Sequence, residues 1–262
     1  MALARYFYLI DAKDIYIYFT SIFGSKGVIE NIKLRTIKYA GEEVKDKIFE
    51  NLPIPPLGTS NKDLFNYTQK LMRQMEENLK PNAYRKILAG NNHNIPEISI
   101  SKEKEFYEKA KNIDEYLKER HIRKVEELQQ HCDEEKIWFE QKITQEVVDY
   151  VKANQEILSG VRQGDKIYIT KIPYDIIDFL KTNDEKMKKY YACHCPFVRE
   201  SLLSDEQINV DWCYCSAGFA KFPFEVILGT KLDVELLKSP LKGDNLCRFV
   251  IHLPENVYKI YS

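Results

Sequence analysis

The sequence predicts an α+β protein in which a predominantly helical N-terminal part is followed by a smaller mixed module. Up to residue 159, apolar residues recur at helical spacing, and proline or glycine separates the segments. From Gly160 the pattern changes, and residues 166–170 alternate polar with apolar side chains, as in a short strand. We therefore divide the chain into a helical region, residues 1–159, and a cysteine-rich α/β module, residues 160–262. The alternative is that the two share one core.

The helical region is predicted to begin with a helix over residues 26–50, which contains Gly41. A proline-rich stretch after residue 52 ends this helix, because proline has no amide hydrogen to donate. Ser60 then offers a side-chain oxygen to the free amides of a second helix, with Asp63 three positions further on. We expect this second helix to continue up to Pro81.

A lysine- and glutamate-rich segment, residues 101–158, predicts one long helix or a helical hairpin. Its charged residues are interpreted as the solvated face of that helix. The alternative is a coiled coil that binds a partner, and that partner could be a second copy of the chain in a homodimer. The apolar stripe of the segment consists of Phe106, Ala110, Ile113, Leu117, Val125, Leu128, Cys132, Phe139, Ile143, Val147 and Val151.

Composition argues against some classes of partner. The chain has 262 residues, 44% of them hydrophobic, and its 39 basic and 40 acidic residues give a net charge of -1. No long-range positive field therefore attracts nucleic acid or an anionic membrane. The apolar runs at residues 6–10 and 15–23 are too short to span a bilayer, and no secretory signal pattern is present. We expect a cytoplasmic protein, in which reducing conditions disfavour structural disulfides.

Five of the six cysteines are concentrated in the C-terminal module, and we call them the thiol cluster. They form two Cys-x-Cys pairs and one single residue: Cys193, Cys195, Cys213, Cys215 and Cys247. In an extended segment, residues i and i+2 point to one side, so each pair can present two sulfurs together. The two pairs could supply the four thiolates of a tetrahedral zinc site, with His194 or Cys247 as substitute ligands.

Two other interpretations of the thiol cluster stay open. Cysteine is a small hydrophobic residue that is often buried, and aromatic residues flank both pairs. Alternatively, one thiol is reactive. If a helix opens near Cys215, its N-terminal amides would stabilise a thiolate and lower the pKa of Cys213 or Cys215. Pro223 would then belong to the first turn of that helix, where proline is tolerated.

Residues beside the thiol cluster are candidates for contacting a small-molecule ligand. The aromatic candidates are Trp212, Tyr214 and Phe219, and the nearest charged candidates are Arg199 and Glu200. An exposed ion pair is the alternative role for Arg199 and Glu200. In an enzyme, His194 or Glu200 would serve as the general base.

Several short motifs follow one another near the C-terminus. They are the small-residue turn ending at Gly218 and Phe219, then Gly229, a strand-like segment at 232–237, and the closing Gly243, Cys247 and Phe249. In these motifs the last 50 or so residues resemble the 4-vinyl reductase domain, a small-molecule-binding module of phenol-sensing bacterial activators. The resemblance implies helices packed against a small antiparallel sheet, and a closing cysteine that ligates a structural zinc beside a ligand pocket.

The chain departs from this family at two of the zinc ligands. By spacing from Cys247, the family's glutamate and cysteine ligands fall at Leu236 and Ser239, which cannot replace them. Any metal in this chain would therefore have to use the two Cys-x-Cys pairs. Residues 243–249 are also similar to the closing segment of the bacterial family named for L-2-amino-thiazoline-4-carboxylic acid hydrolase. This second similarity implies ring-opening hydrolysis of a small sulfur heterocycle, and together the two indicate a bacterial family of this broad group.

Two functional hypotheses follow from these observations. The first is a small-molecule-binding protein of 4-vinyl reductase-like type, in which a thiolate-rich, zinc-binding site stiffens an aromatic pocket. The second is a small-substrate hydrolase that uses a zinc or cysteine centre. The sequence contains no glycine-rich phosphate loop and no Gly-x-Ser-x-Gly elbow, so it indicates neither nucleotide binding nor a serine hydrolase.

Overall fold

Helices form most of the protein before residue 134. The computed structural model describes residues 2–258, and in this first part the α-helices are α1 (Ala2–Leu9), α2 (Lys13–Ile22), α3 (Val28–Ala40), α4 (Glu42–Phe49), α5 (Asn61–Asn78), α6 (Pro81–Leu88), α7 (Ser101–Lys109) and α8 (Ile113–Asp133). The prediction of a single helix over residues 26–50 is wrong. Gly41 has a φ of 88°, a backbone conformation that favours glycine, and it divides the segment into α3 and α4.

Helix ends in this part follow side-chain chemistry that the sequence contains. The Oγ atom of Ser60 accepts a hydrogen bond from the amide of Asp63 at 3.2 Å, so the predicted N-cap of α5 is confirmed. Asn112 caps α8 in the same way, accepting from the amide of Glu115 at 2.9 Å. Pro81 is the first residue of α6, a position where its missing amide hydrogen would have no helical partner.

The charged segment at residues 101–158 is neither one long helix nor a simple hairpin. After α7 and α8 it forms a small hairpin of two strands, β1 (Ile137–Trp138) and β2 (Gln141–Lys142), and then helix α9 (Gln145–Lys152). Phe139 lies in the turn of that hairpin and is 72% exposed, so its assignment to a buried stripe is wrong. The rest of the stripe is mostly covered by other parts of the same chain, as Leu117, Leu128 and Val147 show.

An antiparallel sheet forms the centre of the C-terminal module, which confirms the predicted α+β class. Its strands are β3 (Val161–Gln163), β4 (Lys166–Thr170), β5 (Asp233–Lys238) and β6 (Arg248–His252), in the order β3-β4-β6-β5. Between β4 and β5 the chain forms α10 (Ile176–Lys181), α11 (Glu185–Ala192) and α12 (Tyr214–Leu228), and α13 (Glu255–Tyr258) follows β6. The predicted strand over residues 166–170 is confirmed.

Within residues 2–258, buried apolar residues form three clusters, and each contains residues from both sides of residue 160. The first cluster contains residues of the four helices α3, α4, α5 and α6, packed against Phe197 and Trp212. The second joins α8 with α12 and the four-stranded sheet, and the third joins α8 and α9 with α10. Packing is therefore continuous across residue 160, because the C-terminal helices complete cores that the N-terminal helices begin.

Gly218 lies where α12 passes closest to the end of α6. A Cβ atom at this position would lie 2.4 Å from the carbonyl oxygen of Gly90 and 2.5 Å from the carbonyl carbon of Ala89. These are backbone atoms, which cannot rotate away as the end of a side chain can. The absence of a side chain at Gly218 therefore sets how closely α12 approaches the N-terminal helices, and α12 carries several residues of the candidate site.

Helices α1 and α2 form a hairpin that lies beside the β1–β2 hairpin. Lys142 forms an ion pair with Asp14 at 2.8 Å, and Lys13 lies 3.9 Å from Glu135. These contacts place α2 next to the turn that contains Phe139. Among residues 2–258, no helix combines the length and the apolar character needed to cross a membrane.

Candidate functional site

A cavity of about 490 Å³ lies where α2, α8, the β1–β2 hairpin, β4 and α12 come together. Small-molecule sites typically have volumes of about 300–1,000 Å³. Apolar and aromatic residues form most of the wall: Tyr16, Trp138, Phe139, Leu158, Ile169, Ile172, Tyr174, Phe219, Ala220 and Pro223. The polar lining residues are Thr20, Arg120, Lys124, Glu140, Gln141, Thr170, Lys171 and His194. The cavity thus combines an apolar body with a few polar groups.

One wall of the cavity comes from α12, which contains a proline in its interior. Pro223 lies well beyond the first turn of a helix that begins at Tyr214, so the expectation that it marks the helix start is wrong. Proline has no amide hydrogen to offer the carbonyl of Phe219 four residues earlier. Since Phe219 and Pro223 both line the cavity, the interrupted turn of α12 lies at its wall.

Lys171 and His194 lie at the side of the cavity nearest the thiol cluster. The ammonium group of Lys171 donates to the hydroxyl of Ser216 at 3.3 Å and lies 4.9 Å from the ring centre of Phe219. The Nε2 atom of His194 lies 2.6 Å from the carbonyl oxygen of Ile172. Burial, with the charge of Lys171, holds the pKa of His194 well below its usual value, so the ring is neutral at pH 7. Nε2 therefore carries the hydrogen and donates a hydrogen bond to this carbonyl oxygen.

Glu140 is the acidic residue of the cavity wall. Burial raises the pKa of Glu140, and its hydrogen bond with Tyr174 opposes that shift. Tyr174 is in turn enclosed, and its burial beside Glu140 raises the pKa of the phenol to about 12. The guanidinium of Arg199 lies 4.5 Å from the ring centre of Tyr174 and 4.1 Å from that of Tyr190. Arg199 thus packs against the ring of Tyr174.

The thiol cluster lies next to Lys171 and His194, two residues of the cavity wall. All five of its cysteines are free thiols, and all but the half-buried Cys195 are buried. Cys195 acts electrostatically on each of the other four, and Cys247 acts on Cys193 and Cys213. Lys171 acts on Cys195, Cys215 and Cys247. The fold therefore gathers all five thiols in one region next to the cavity.

Burial raises the pKa of every thiol in the cluster. The pKa of Cys215 rises to about 12 and that of Cys247 to about 11, and those of the other three are also raised. The expectation that helix amides lower the pKa of Cys213 or Cys215 is therefore wrong. The helix does open at Tyr214, but desolvation of the thiolate is the dominant effect, and the neighbouring thiols add to it.

The sulfur atoms in the cluster contact neutral partners. Trp212 donates from Nε1 to Cys195 at 3.3 Å, and Ser239 donates to Cys213. Ser239 stands where the resemblance to the 4-vinyl reductase domain places a cysteine ligand, and it contacts the cluster without being able to ligate zinc. Within residues 2–258, no three histidine, cysteine, aspartate or glutamate side chains are arranged to share one metal ion. The side chains as they stand do not form a ready zinc site, and zinc stays a prediction.

His93 is a neighbour of the thiol cluster that sequence reasoning missed. Its Nε2 atom lies 3.9 Å from the sulfur of Cys215, and its ring packs edge-on against Phe219 at 5.2 Å. Burial, with the charge of Lys171, lowers the pKa of His93 to about 4. Asn92, the preceding residue, also donates to Cys215 at 3.9 Å. No local signal links these residues to a cysteine more than a hundred positions away.

The other predicted site residues have varied surroundings. Of the five predicted ligand contacts, Phe219 lines the cavity, and Arg199, Glu200, Trp212 and Tyr214 are not among its lining residues. Trp212 is fully buried against Phe197, and Tyr214 lies under the guanidinium of Arg85. Glu200 accepts a long hydrogen bond, 3.5 Å, from Asn61. His194, predicted as a metal ligand, does line the cavity.

Comparisons with known proteins give one match. Residues 176–258 match a family of unknown function, DUF6144. No curated protein and no solved structure matches the chain. The matched segment contains the whole thiol cluster but only part of the cavity wall, namely His194, Phe219, Ala220 and Pro223. The remaining lining residues belong to the part of the chain outside the match.

Proposed function

We propose that the protein binds a small organic molecule in the cavity between α2, α8, the β1–β2 hairpin, β4 and α12. The observation that carries this proposal is the cavity itself, with its aromatic and aliphatic walls and its few converging polar groups. The proposal agrees with the small-molecule-binding class that the motifs near the C-terminus indicate. The resemblance to the 4-vinyl reductase domain stays a prediction.

Apolar contact alone would give only weak binding at this site. A ligand that removes roughly 200 Å² of apolar surface from water gains about 5 kcal/mol at ~25 cal/mol per Å². Loss of translational and rotational freedom costs about 4 kcal/mol or more. The two terms nearly cancel, so the polar groups of the cavity decide both affinity and selectivity.

The two tryptophans allow occupancy of the cavity to be measured directly. Trp138 lines the cavity, whereas Trp212 is fully buried beside the thiol cluster. With 5-fluorotryptophan incorporated, the ¹⁹F NMR spectrum should show two resonances. Titration with N-phenyl-1-naphthylamine, a neutral aromatic probe, is expected to shift the Trp138 resonance and to leave that of Trp212 in place.

Matched variants assign the two signals in this experiment. Trp138→Phe removes the cavity resonance, and Trp212→Phe removes the buried one while retaining an aromatic ring at each position. In Trp212→Phe the probe should still shift the remaining resonance, and in Trp138→Phe it should not. Equal shifts of both resonances, or no shift at saturating probe, would count against binding in this cavity.

The thiol cluster has a supporting role in this proposal. It packs behind His194 and Lys171 and so fixes the wall of the cavity from which these two side chains extend. Zinc would stiffen that wall further, because metal bound by the folded state alone adds to the free energy of unfolding. Zinc binding requires deprotonated thiols, and the metal's charge would have to overcome the desolvation that now keeps them protonated.

A small-substrate hydrolase is the second candidate function, favoured by the 3.9 Å contact between Cys215 and His93. In such an enzyme Cys215 would be the nucleophile and His93 the base, in place of His194 or Glu200. The raised pKa of Cys215 and the lowered pKa of His93 oppose an ion pair between them. Both groups are neutral at pH 7, so binding without catalysis is the function that these side chains favour.

Alkylation rates distinguish these roles of the thiol cluster. Because the five thiols are protonated at neutral pH and all but Cys195 are buried, we expect iodoacetamide to modify them slowly in the folded protein. The half-buried Cys132 should react first, since the raised pKa of Cys195 slows its reaction. Mass spectrometry of peptides gives each rate. Faster alkylation of the cluster after addition of a chelator would indicate bound zinc, and rapid modification of Cys215 alone would favour the hydrolase.

A further inference from the structure

Arg120 is a buried cation in the wall of the cavity. It is 7% exposed, on a helix whose charged residues the sequence places in solvent. Its Nε and Nη1 atoms are buried and make no hydrogen bond within the described residues. The guanidinium lies 5.1 Å from the ring centre of Phe224. Buried guanidinium groups are normally paired, because an unpaired charge away from water is strongly unfavourable.

The acid that interacts electrostatically with Arg120 is already bound to other groups. Glu103 interacts electrostatically with Arg120, but its Oε2 atom accepts hydrogen bonds from Tyr116 at 2.7 Å and from Arg123 at 3.3 Å. Glu103 therefore balances part of the charge without satisfying the free nitrogens of Arg120. A planar acceptor in the cavity would complete the set.

The charges that line the cavity favour a negatively charged ligand. Lys171 lines it with a hydroxyl as its hydrogen-bond partner and forms no ion pair among the residues described. Lys124 lines it too, and its ammonium group is paired with Glu127 at 2.6 Å. Glu140 is the opposing acid, and burial raises its pKa. The wall thus carries more cationic than acidic side chains, and Arg120 and Lys171 form no ion pair within residues 2–258.

We propose that the ligand is an organic carboxylate with an apolar, ring-sized body, held by its acid group at the guanidinium of Arg120, which lines the cavity. This inference rests on the proposed function, since it names the chemical class that the cavity selects. The planar guanidinium fork of Arg120 matches the two oxygens of a carboxylate, and the charge of Lys171 adds attraction. The aromatic and aliphatic wall residues cover the body of the ligand.

Gln141 adds a second polar contact for the ligand. It is 8% exposed, it lines the cavity, and its Oε1 atom is buried without a hydrogen bond in the described part of the chain. A buried carbonyl oxygen without a donor is unfavourable, so a ligand hydroxyl or amine opposite this atom would be stabilised. Carboxylates that carry such a donor are expected to bind more tightly than those without one.

The test compares two ligands that differ only in the charged group. Binding of 2-naphthoate and 2-naphthylmethanol is measured at pH 7.5 through the ¹⁹F resonance of Trp138. We expect the dissociation constant of the carboxylate to be at least about tenfold lower than that of the alcohol, which is the effect of a charge-assisted hydrogen bond. In Arg120→Gln this preference should largely disappear, because the dissociation constant of the carboxylate rises much more than that of the alcohol.

Two further variants complete the design. Arg162→Gln is the matched control, because Arg162 already binds Asp114 through two nitrogens and lies outside the cavity. This control should retain the full preference. Lys171→Gln should lower the preference several-fold, and it provides an independent variant if Arg120→Gln does not fold.

Each result has one meaning. If neither ligand shifts the Trp138 resonance, the proposed function fails. If both ligands bind with equal affinity to the wild-type protein, the cavity binds small molecules but the carboxylate proposal is overturned. Retention of the preference in Arg120→Gln would also overturn it. The wild-type comparison decides the matter even if every variant is unstable.

Discussion

Replacing Gly218 with valine is expected to lower the free energy of unfolding by about 3 kcal/mol. The new Cβ would lie within 2.5 Å of two backbone atoms of Ala89 and Gly90, so α12 or the end of α6 would have to move. Overpacking of this kind costs about 1–3 kcal/mol, occasionally more, and contact with backbone atoms places Gly218 at the upper end. Valine has a higher helix propensity than glycine, which recovers only a few tenths of this loss. Urea unfolding followed by far-UV circular dichroism gives the free energy.

The matched control for this prediction is Gly24→Val. A Cβ at Gly24 would have no atom within 4 Å, so the same substitution should change the free energy of unfolding by less than about 0.5 kcal/mol. If Gly218→Val were as stable as this control, α12 would not approach Ala89 and Gly90 so closely. The wall of the cavity that Phe219 and Pro223 provide would then need a different explanation.

Mild acid is expected to destabilise the protein through two partly buried histidines, His93 and His194. The pKa of His93 is about 4 in the folded protein and about 6.5 in an unfolded chain. Between these pH values the unfolded state binds a proton that the folded state does not. Stability is therefore lost as the pH falls from about 6.5 towards 4, by up to about 3 kcal/mol in total for this residue. His194 acts in the same direction.

His93→Gln tests this pH dependence. The variant lacks the titrating group, so its urea midpoint should fall less than that of the wild-type protein between pH 7 and pH 4.5. His121→Gln is the control, since His121 hydrogen-bonds to the carbonyl of Lys152 and does not line the cavity. Parallel pH profiles for His93→Gln and the wild-type protein would show that folding does not lower the pKa of His93.

The two histidines and Arg120 illustrate how this molecule distributes polar groups. His93 and His194 are enclosed and neutral, so they can lie beside thiols without large electrostatic cost. Arg120 is a buried guanidinium with two nitrogens that make no hydrogen bond within residues 2–258, and so it needs an acceptor. The cavity is where an external acceptor can reach it.

Local sequence signals determined much of the secondary structure. Ser60 predicts the start of α5 because a hydroxyl can satisfy a free amide three residues away, and the alternation of residues 166–170 predicts β4. The change of pattern near Gly160 predicts the α+β class. These signals depend on neighbours within a few positions, and the sequence contains all of them.

The tertiary structure alone decided which residues form the site. Arg120 and Arg123 look alike in a charged segment, yet Arg120 is buried beside Phe224 while Arg123 binds Glu103. His93 contacts Cys215 across more than a hundred residues. The pKa of each thiol also follows from burial, which no helix terminus in the sequence reveals. Such contacts depend on how distant helices pack together, and residue spacing along one chain does not specify that packing.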